Sequence, residues 1–136
     1  MNDRLAFDLP GGWQDQTVYR FKGPDDGDTE HAVTLVVDRE AGDTPADRYT
    51  RVRIDTALET LQPSETVKDE AITLSNGMAA YEAVLKWVPV DDQVIFHKMV
   101  YVVRNGIGYT FTGNFTKKTI KTVALDMDRL ITSILS

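Results

Sequence analysis

Residues 66 to 115 constrain the fold most. Apolar and polar side chains alternate through Thr66 to Leu74, Met78 to Val88 and Gln93 to Arg104, then through a shorter run from Gly108 to Phe115. Only the connections SNGM, VDDQ and RNGIG interrupt them. Successive side chains of a strand point to opposite faces, and joints this short link antiparallel neighbours. The two Asn-Gly pairs are dipeptides that favour positive φ at two-residue hairpin turns. A meander of four antiparallel strands follows.

The rest of the chain supplies more strands and two helices. Arg4 to Leu9 alternate as a short strand, and Pro10-Gly11-Gly12 breaks it. From Gln16 to Lys22 the alternation resumes, with Val18 and Arg20 pointing one way and Thr17, Tyr19 and Phe21 the other, which makes a first hairpin. After the acidic turn-rich loop GPDDGD, the β-branched run from His31 to Val37 reads as a third strand. Thr44 as N-cap, Pro45 at the first helical position, Asp47 in the first turn and Pro63 past the end delimit a helix from Pro45 to about Leu61. Tyr49, Val52, Ile54, Ala57, Leu58 and Leu61 form its expected buried stripe. A closing helix carries Ile120, Val123, Met127, Leu130, Ile131 and Ile134 on one face. The predicted class is α+β: an antiparallel β-sheet meander packed with two main helices, as a single domain over residues 1–136. At 42% hydrophobic residues the chain has the side chains to build that core.

Composition removes several functions. With no cysteine, disulfides, zinc thiolate sites, thiol catalysis and iron–sulfur clusters are all excluded. A formal charge of −6 disfavours a nucleic-acid partner. No window approaches the roughly 18 apolar residues of a membrane span, which argues against stable membrane insertion. The first ten residues, MNDRLAFDLP, lack a basic segment followed by an apolar run, so a cytoplasmic protein is expected. His31 and His97 sit far apart in sequence, and the acidic groups Asp25, Asp26, Asp28 and Asp91, Asp92 fall in loops without calcium-loop spacing. Glycine-rich phosphate loops, nucleophile elbows and HExxH pairs are absent from the sequence. Neither an enzyme nor a cofactor is expected.

The two faces of the meander are more informative. One takes Tyr81, Ala83, Leu85, Trp87, Ile95, Met99, Tyr101 and Val103, with Tyr109 and Phe111 assigned beside them, and is the natural face for the helices. The other takes Val84, Lys86, Val88, Val94, Phe96, Lys98, Val100 and Val102, with Thr110 and Thr112 beyond. That is too much apolar surface for a solvated face. Its cover is either the first hairpin or a helix of the same chain, or else a second protomer or a bound apolar helix. Phe96 and Val18 are both placed on the face away from the helix-covered core.

The succession LPGGWQDQTVYRFK, VTLVVDRE, TPADRYTR and the later NG, Ala, Tyr and Trp hairpin, from about Leu5 to Leu135, resembles the DcrB-related, PsbP-like small domains. Within these it is most similar to the Eag chaperones of bacterial type VI secretion. The resemblance implies a PsbP-like sandwich and a cytoplasmic homodimer. Its concave sheets would cup the hydrophobic N-terminal helices of a secreted toxic effector before loading onto the secretion spike. By position it implies partner-binding roles for Val18, Arg20, Arg53 and Lys98, with Val84, Phe96 and Val100 beside them, and makes Trp13 a structural anchor behind the Pro-Gly-Gly turn. Such chaperones tend to line the groove with aliphatic or amide side chains, whereas Arg20, Arg53 and Lys98 are charged. A lone cation against an apolar helix is costly without an acceptor. The resemblance therefore implies a client with polar or acidic groups, or a relative with another partner. An alternative is a non-enzymatic DcrB-like or PsbP-like accessory protein that stabilises another assembly.

Overall fold

The computed structural model describes residues 10–12, 16–23, 31–38, 46–60, 64–87 and 94–135. The expected strand at Arg4 to Leu9, Trp13, the Thr44 cap, Leu61, Val88 and the acidic residues of both loops lie outside them. Six strands and two helices follow in chain order: β1 (Gln16–Lys22), β2 (Ala32–Asp38), α1 (Ala46–Thr60), β3 (Ser64–Thr73), β4 (Ala79–Trp87), β5 (Ile95–Arg104), β6 (Ile107–Phe115) and α2 (Val123–Leu135). A 3-10 turn, Thr119–Lys121, precedes α2, where the sequence predicted a single longer helix. The strands form one open antiparallel sheet in the order β1-β2-β6-β5-β4-β3. The α+β class predicted from the alternation is the observed one.

The two Asn-Gly turns differ, and the difference fixes the faces. Asn105 and Gly106 both have positive φ, 52° and 75°, and join Arg104 to its partner Ile107. This is a two-residue turn of the primed kind. In the other, Gly77 has φ 85°, its N–H donates to the Leu74 carbonyl at 2.8 Å, and the Leu74 N–H donates to the Met78 carbonyl at 2.8 Å. Three residues, Ser75 to Gly77, therefore make that connection. With Arg104 opposite Ile107, an even-numbered residue of β5 always faces an odd-numbered one of β6: Val100 pairs with Phe111, Val102 with Tyr109, Met99 with Thr112 and Tyr101 with Thr110. Tyr109 and Phe111 thus belong with the valines, and Thr110 and Thr112 with Met99 and Tyr101. This reverses the assignment read from the sequence.

Each face of the sheet carries one helix. Ile54 of α1 is fully buried against Ala83 and Leu85 of β4 and Met99 and Tyr101 of β5, with Ala57 and Leu58 alongside. Val52 lies outside that stripe and is 56% exposed. Two residues along a helix correspond to about 200° of rotation, so Val52 cannot share the face of Ile54. On the opposite side, Ala124, Met127, Ile131 and Leu135 of α2 pack against Leu35, Val37, Val100, Val102, Phe111 and Phe115. The part of the apolar second face that carries Val100 and Val102 is therefore covered by the chain's own C-terminal helix. Arg104 donates to the Leu135 carbonyl at 2.7 Å, placing a cation at the helix C-terminus, where the macrodipole favours it.

Candidate functional site

The helices are offset diagonally, so each leaves half of its face uncovered by helix among the described residues. On the α2 side, the half formed by β3 and β4 presents Lys68, Glu70 and Lys86, a charged surface suited to water. On the α1 side, the half formed by β1, β2 and β6 presents two cross-strand rows, Val18–Val36–Thr110 and Arg20–Thr34–Thr112. Only one residue in these six is charged. Three strands spaced about 4.8 Å apart make a strip of about 14 Å, the width of one α-helix of about 10 Å diameter.

This strip and the flank of α1 enclose a groove of about 460 Å³, lined by Val36, Thr110, Thr112, Met99 and Tyr101 of the sheet and by Val52 and Ala57 of α1. Val18 and Val52, 55% and 56% exposed, stand on its two sides. The Tyr101 hydroxyl donates to the Met99 sulfur at 3.0 Å, which keeps that phenol within the floor. Arg53 of α1 reaches Asp38 of β2 at 2.8 Å and bridges helix and sheet at one end. Towards the other end His97, also part of the lining, bonds through Nδ1 to the Asn114 amide oxygen at 2.7 Å. An amide oxygen only accepts, so Nδ1 carries the hydrogen. Burial holds His97 below the ordinary imidazole pKa, and the bond to Asn114 opposes that shift. On the far side of α1, Arg51 makes two bonds to Asp69 of β3, at 2.9 and 3.0 Å, and Tyr81 donates to the same carboxylate. These bonds and the Ile54 contact seat α1 over β4 and β5, away from the strip.

The seven residues implied as partner-binding are split between the two faces. Val18, Arg20 and Arg53 belong to the α1 side and border or line the groove. Val84, Phe96, Lys98 and Val100 lie on the α2 side: Val84 pairs with Lys98, Phe96 with Phe115 and Val100 with Phe111. Val100 is core beneath α2, and Phe96 and Val18 do not share a face. Lys98 is 7% exposed and bonds Asp128 of α2 at 2.9 Å, with Glu82 at 3.7 Å. It answers a carboxylate of its own chain. Val36, Val52, His97, Thr110 and Thr112, which complete the groove, were not singled out as binding residues. The signal was present for three of them: the parity of a two-residue turn at Asn105-Gly106 puts Thr110 and Thr112 beside Met99, and the helical wheel separates Val52 from Ile54.

Comparison with known proteins places this architecture. Residues 5–133 match the family described as DcrB. The chain belongs to the DcrB family. No curated protein matches it. Among solved structures, it is similar to PA94 of Pseudomonas aeruginosa, a protein of unknown function for which a regulatory role has been suggested. The identity is 21%, the TM-score 0.70, and the likeness covers 92% of this chain and 86% of that one. The likeness is one of fold. No helix among the described residues is long and apolar enough to cross a membrane.

Proposed function

We propose that this DcrB-family protein is a non-catalytic chaperone or adaptor whose α1-side groove shields an apolar helical segment of a client protein. The observation that carries the reading is the contrast between the two uncovered half-faces. One is charged; the other is lined by Val36, Met99, Tyr101, Thr110 and Thr112 and flanked by exposed Val18 and Val52. Met99 and Tyr101 are 2% exposed and form the floor, so the apolar surface a partner would meet is that of Val18, Val36 and Val52. Exposed apolar surface marks interaction sites, and a helix laid in such a groove is a recurrent mode of recognition. Covering it removes apolar area from water on both partners, at about 25 cal/mol per Å².

The resemblance to the Eag chaperones supports a finer form of the proposal. In it the client is the hydrophobic N-terminal region of a type VI secretion effector, and a cytoplasmic homodimer presents two such grooves to its helices. Family membership equally supports an accessory protein that uses the same groove within another assembly, and the suggested regulatory role of PA94 favours that second reading.

The test is co-purification from native cells without detergent, comparing the wild type with Val18→Asp on the groove side and Lys86→Glu on the charged half-face. A partner that is retained by Lys86→Glu, lost with Val18→Asp, and bound through a stretch of about 20 apolar residues supports the proposal. Retention of that partner by Val18→Asp contradicts it.

A further inference from the structure

Resting on that reading, we propose that occupation of the groove is linked to a single proton at His97, so that the apolar segment is held only over the neutral imidazole. The chain has two histidines. His31 is 2% exposed and bonds Thr119 at 3.0 Å on the α2 side of the sheet. His97 is therefore the histidine of the groove, whose lining also includes Met99, Thr56, Thr60 and Thr112.

Its hydrogen bonds decide the protonation state that fits. With the Nδ1 hydrogen given to Asn114, the neutral ring is complete, and charging it adds an N–H at Nε2 that needs water or an acceptor. A segment lying over the groove takes the water away, and an unpaired buried charge is strongly disfavoured. Among the described residues, the groove lining contains no carboxylate. β4 sets Leu85 opposite His97, and β6 offers Asn114 and Thr112. Of the described charged side chains on α1, Arg53 lines the groove and is itself a cation, with its acceptor Asp38 at the far end of the strip, while Arg48, Arg51, Asp55 and Glu59 are exposed and do not line it, Asp55 lying beside Arg51. Free His97 already lies below the ordinary imidazole value because of burial, and a covering segment drives it lower.

The linkage has a definite form. Where only the neutral form binds, the apparent Kd equals the intrinsic Kd divided by the neutral fraction. Affinity is then flat above the free-state pKa and falls by about tenfold for each pH unit below it. The probe is a labelled, uncharged peptide of about 20 leucine, alanine and threonine residues on a polyethylene glycol tail, so that the probe itself does not titrate. Its Kd is measured over a pH range that brackets the free-state pKa of His97 found in the same NMR titration, which lies below the ordinary imidazole value. Wild type and His97→Gln are compared, and the two histidine Cε1–H resonances are followed by NMR with and without peptide. The expected result is a Kd that rises with a limiting slope of one proton in the wild type, is flat in His97→Gln, and is accompanied by a lower His97 pKa in the complex. A pH-independent wild-type Kd, or a His97 pKa unchanged by peptide, overturns the inference whether or not the variant folds. Absence of binding at every pH overturns the docking reading and this inference with it.

Discussion

At the scale of single residues, the molecule separates valines that look alike in sequence. Val18, Val84 and Val100 all sit in alternating strands, yet Val100 and Val84 are buried and Val18 is 55% exposed. Val100→Asp is expected to destabilise the fold by more than about 4 kcal/mol, because it buries an unpaired carboxylate among Phe111, Met127 and Ile131. Val18→Asp should stay within about 0.5 kcal/mol of the wild type; chemical denaturation of the pair measures the contrast. Gly113 gives a second expectation. A Cβ there would meet the Phe115 ring at 2.9 Å and the Met127 sulfur at 3.0 Å. Gly113→Ala should cost about 1–3 kcal/mol by crowding α2 against β6, read as a lower denaturation midpoint with an unchanged slope.

Asp69 supplies a titration at the same scale. Its bonds from Arg51 and Tyr81 hold its carboxyl below the usual carboxylate range. A depressed native pKa contributes stability above the unfolded value of about 3.9 that is lost as pH falls through the native value. The wild type should therefore exceed Asp69→Asn in melting temperature at neutral pH, and the gap should close below about pH 4. A gap that widens in acid would contradict the role given to this carboxylate.

At the scale of elements, the strands and both helices were legible because periodicity is a local property. Alternation announced the meander, and the spacing of Met127, Leu130, Ile131 and Ile134 announced α2. What was not legible was which way each element faces. Asn76-Gly77 and Asn105-Gly106 read identically in sequence, yet one closes a three-residue connection and the other a two-residue turn. A single residue of difference moves every following side chain to the other face of the sheet. Reversing the faces of β6 hid Thr110 and Thr112 from the groove, while the partner-binding reading of Val84, Phe96, Lys98 and Val100 came from the resemblance, and alternation could not say that α2 covers Val100. Gly106→Ala tests the turn: alanine at φ 75° should cost about 1–2 kcal/mol, with no change in partner binding. The edge strand β3 carries Glu65, Lys68, Asp69 and Glu70 and a bulge between Thr66 and Lys68, features that oppose unwanted edge pairing.

At the scale of the whole molecule, the diagonal placement of two helices on a six-stranded sheet produces one charged and one largely uncharged half-face. A sheet of this width has room for a second helix beside α1, and the proposed function fills that room with a client's. Within the lining, Arg53 is paired with Asp38 at one end and His97 bonds Asn114 towards the other, while Arg20 stands on β1 at the strip's edge. The cationic groove residues that distinguished the sequence from the chaperones it resembles thus have internal explanations in Arg53 and Lys98, each joined to a carboxylate of the same chain.

Photo-crosslinking in native cells shows what lies over the α1-side groove. A benzophenone side chain is placed at Val36 in the groove floor and, separately, at Lys86 on the charged half-face, with no detergent during recovery. Adducts from Val36 are expected to map by mass spectrometry to an apolar helical segment of another protein, with none of that kind from Lys86. Adducts to such a segment from Lys86 alone, or a Val36 probe that forms no intermolecular adduct while the partner still co-purifies, would contradict the docking of such a segment in the groove.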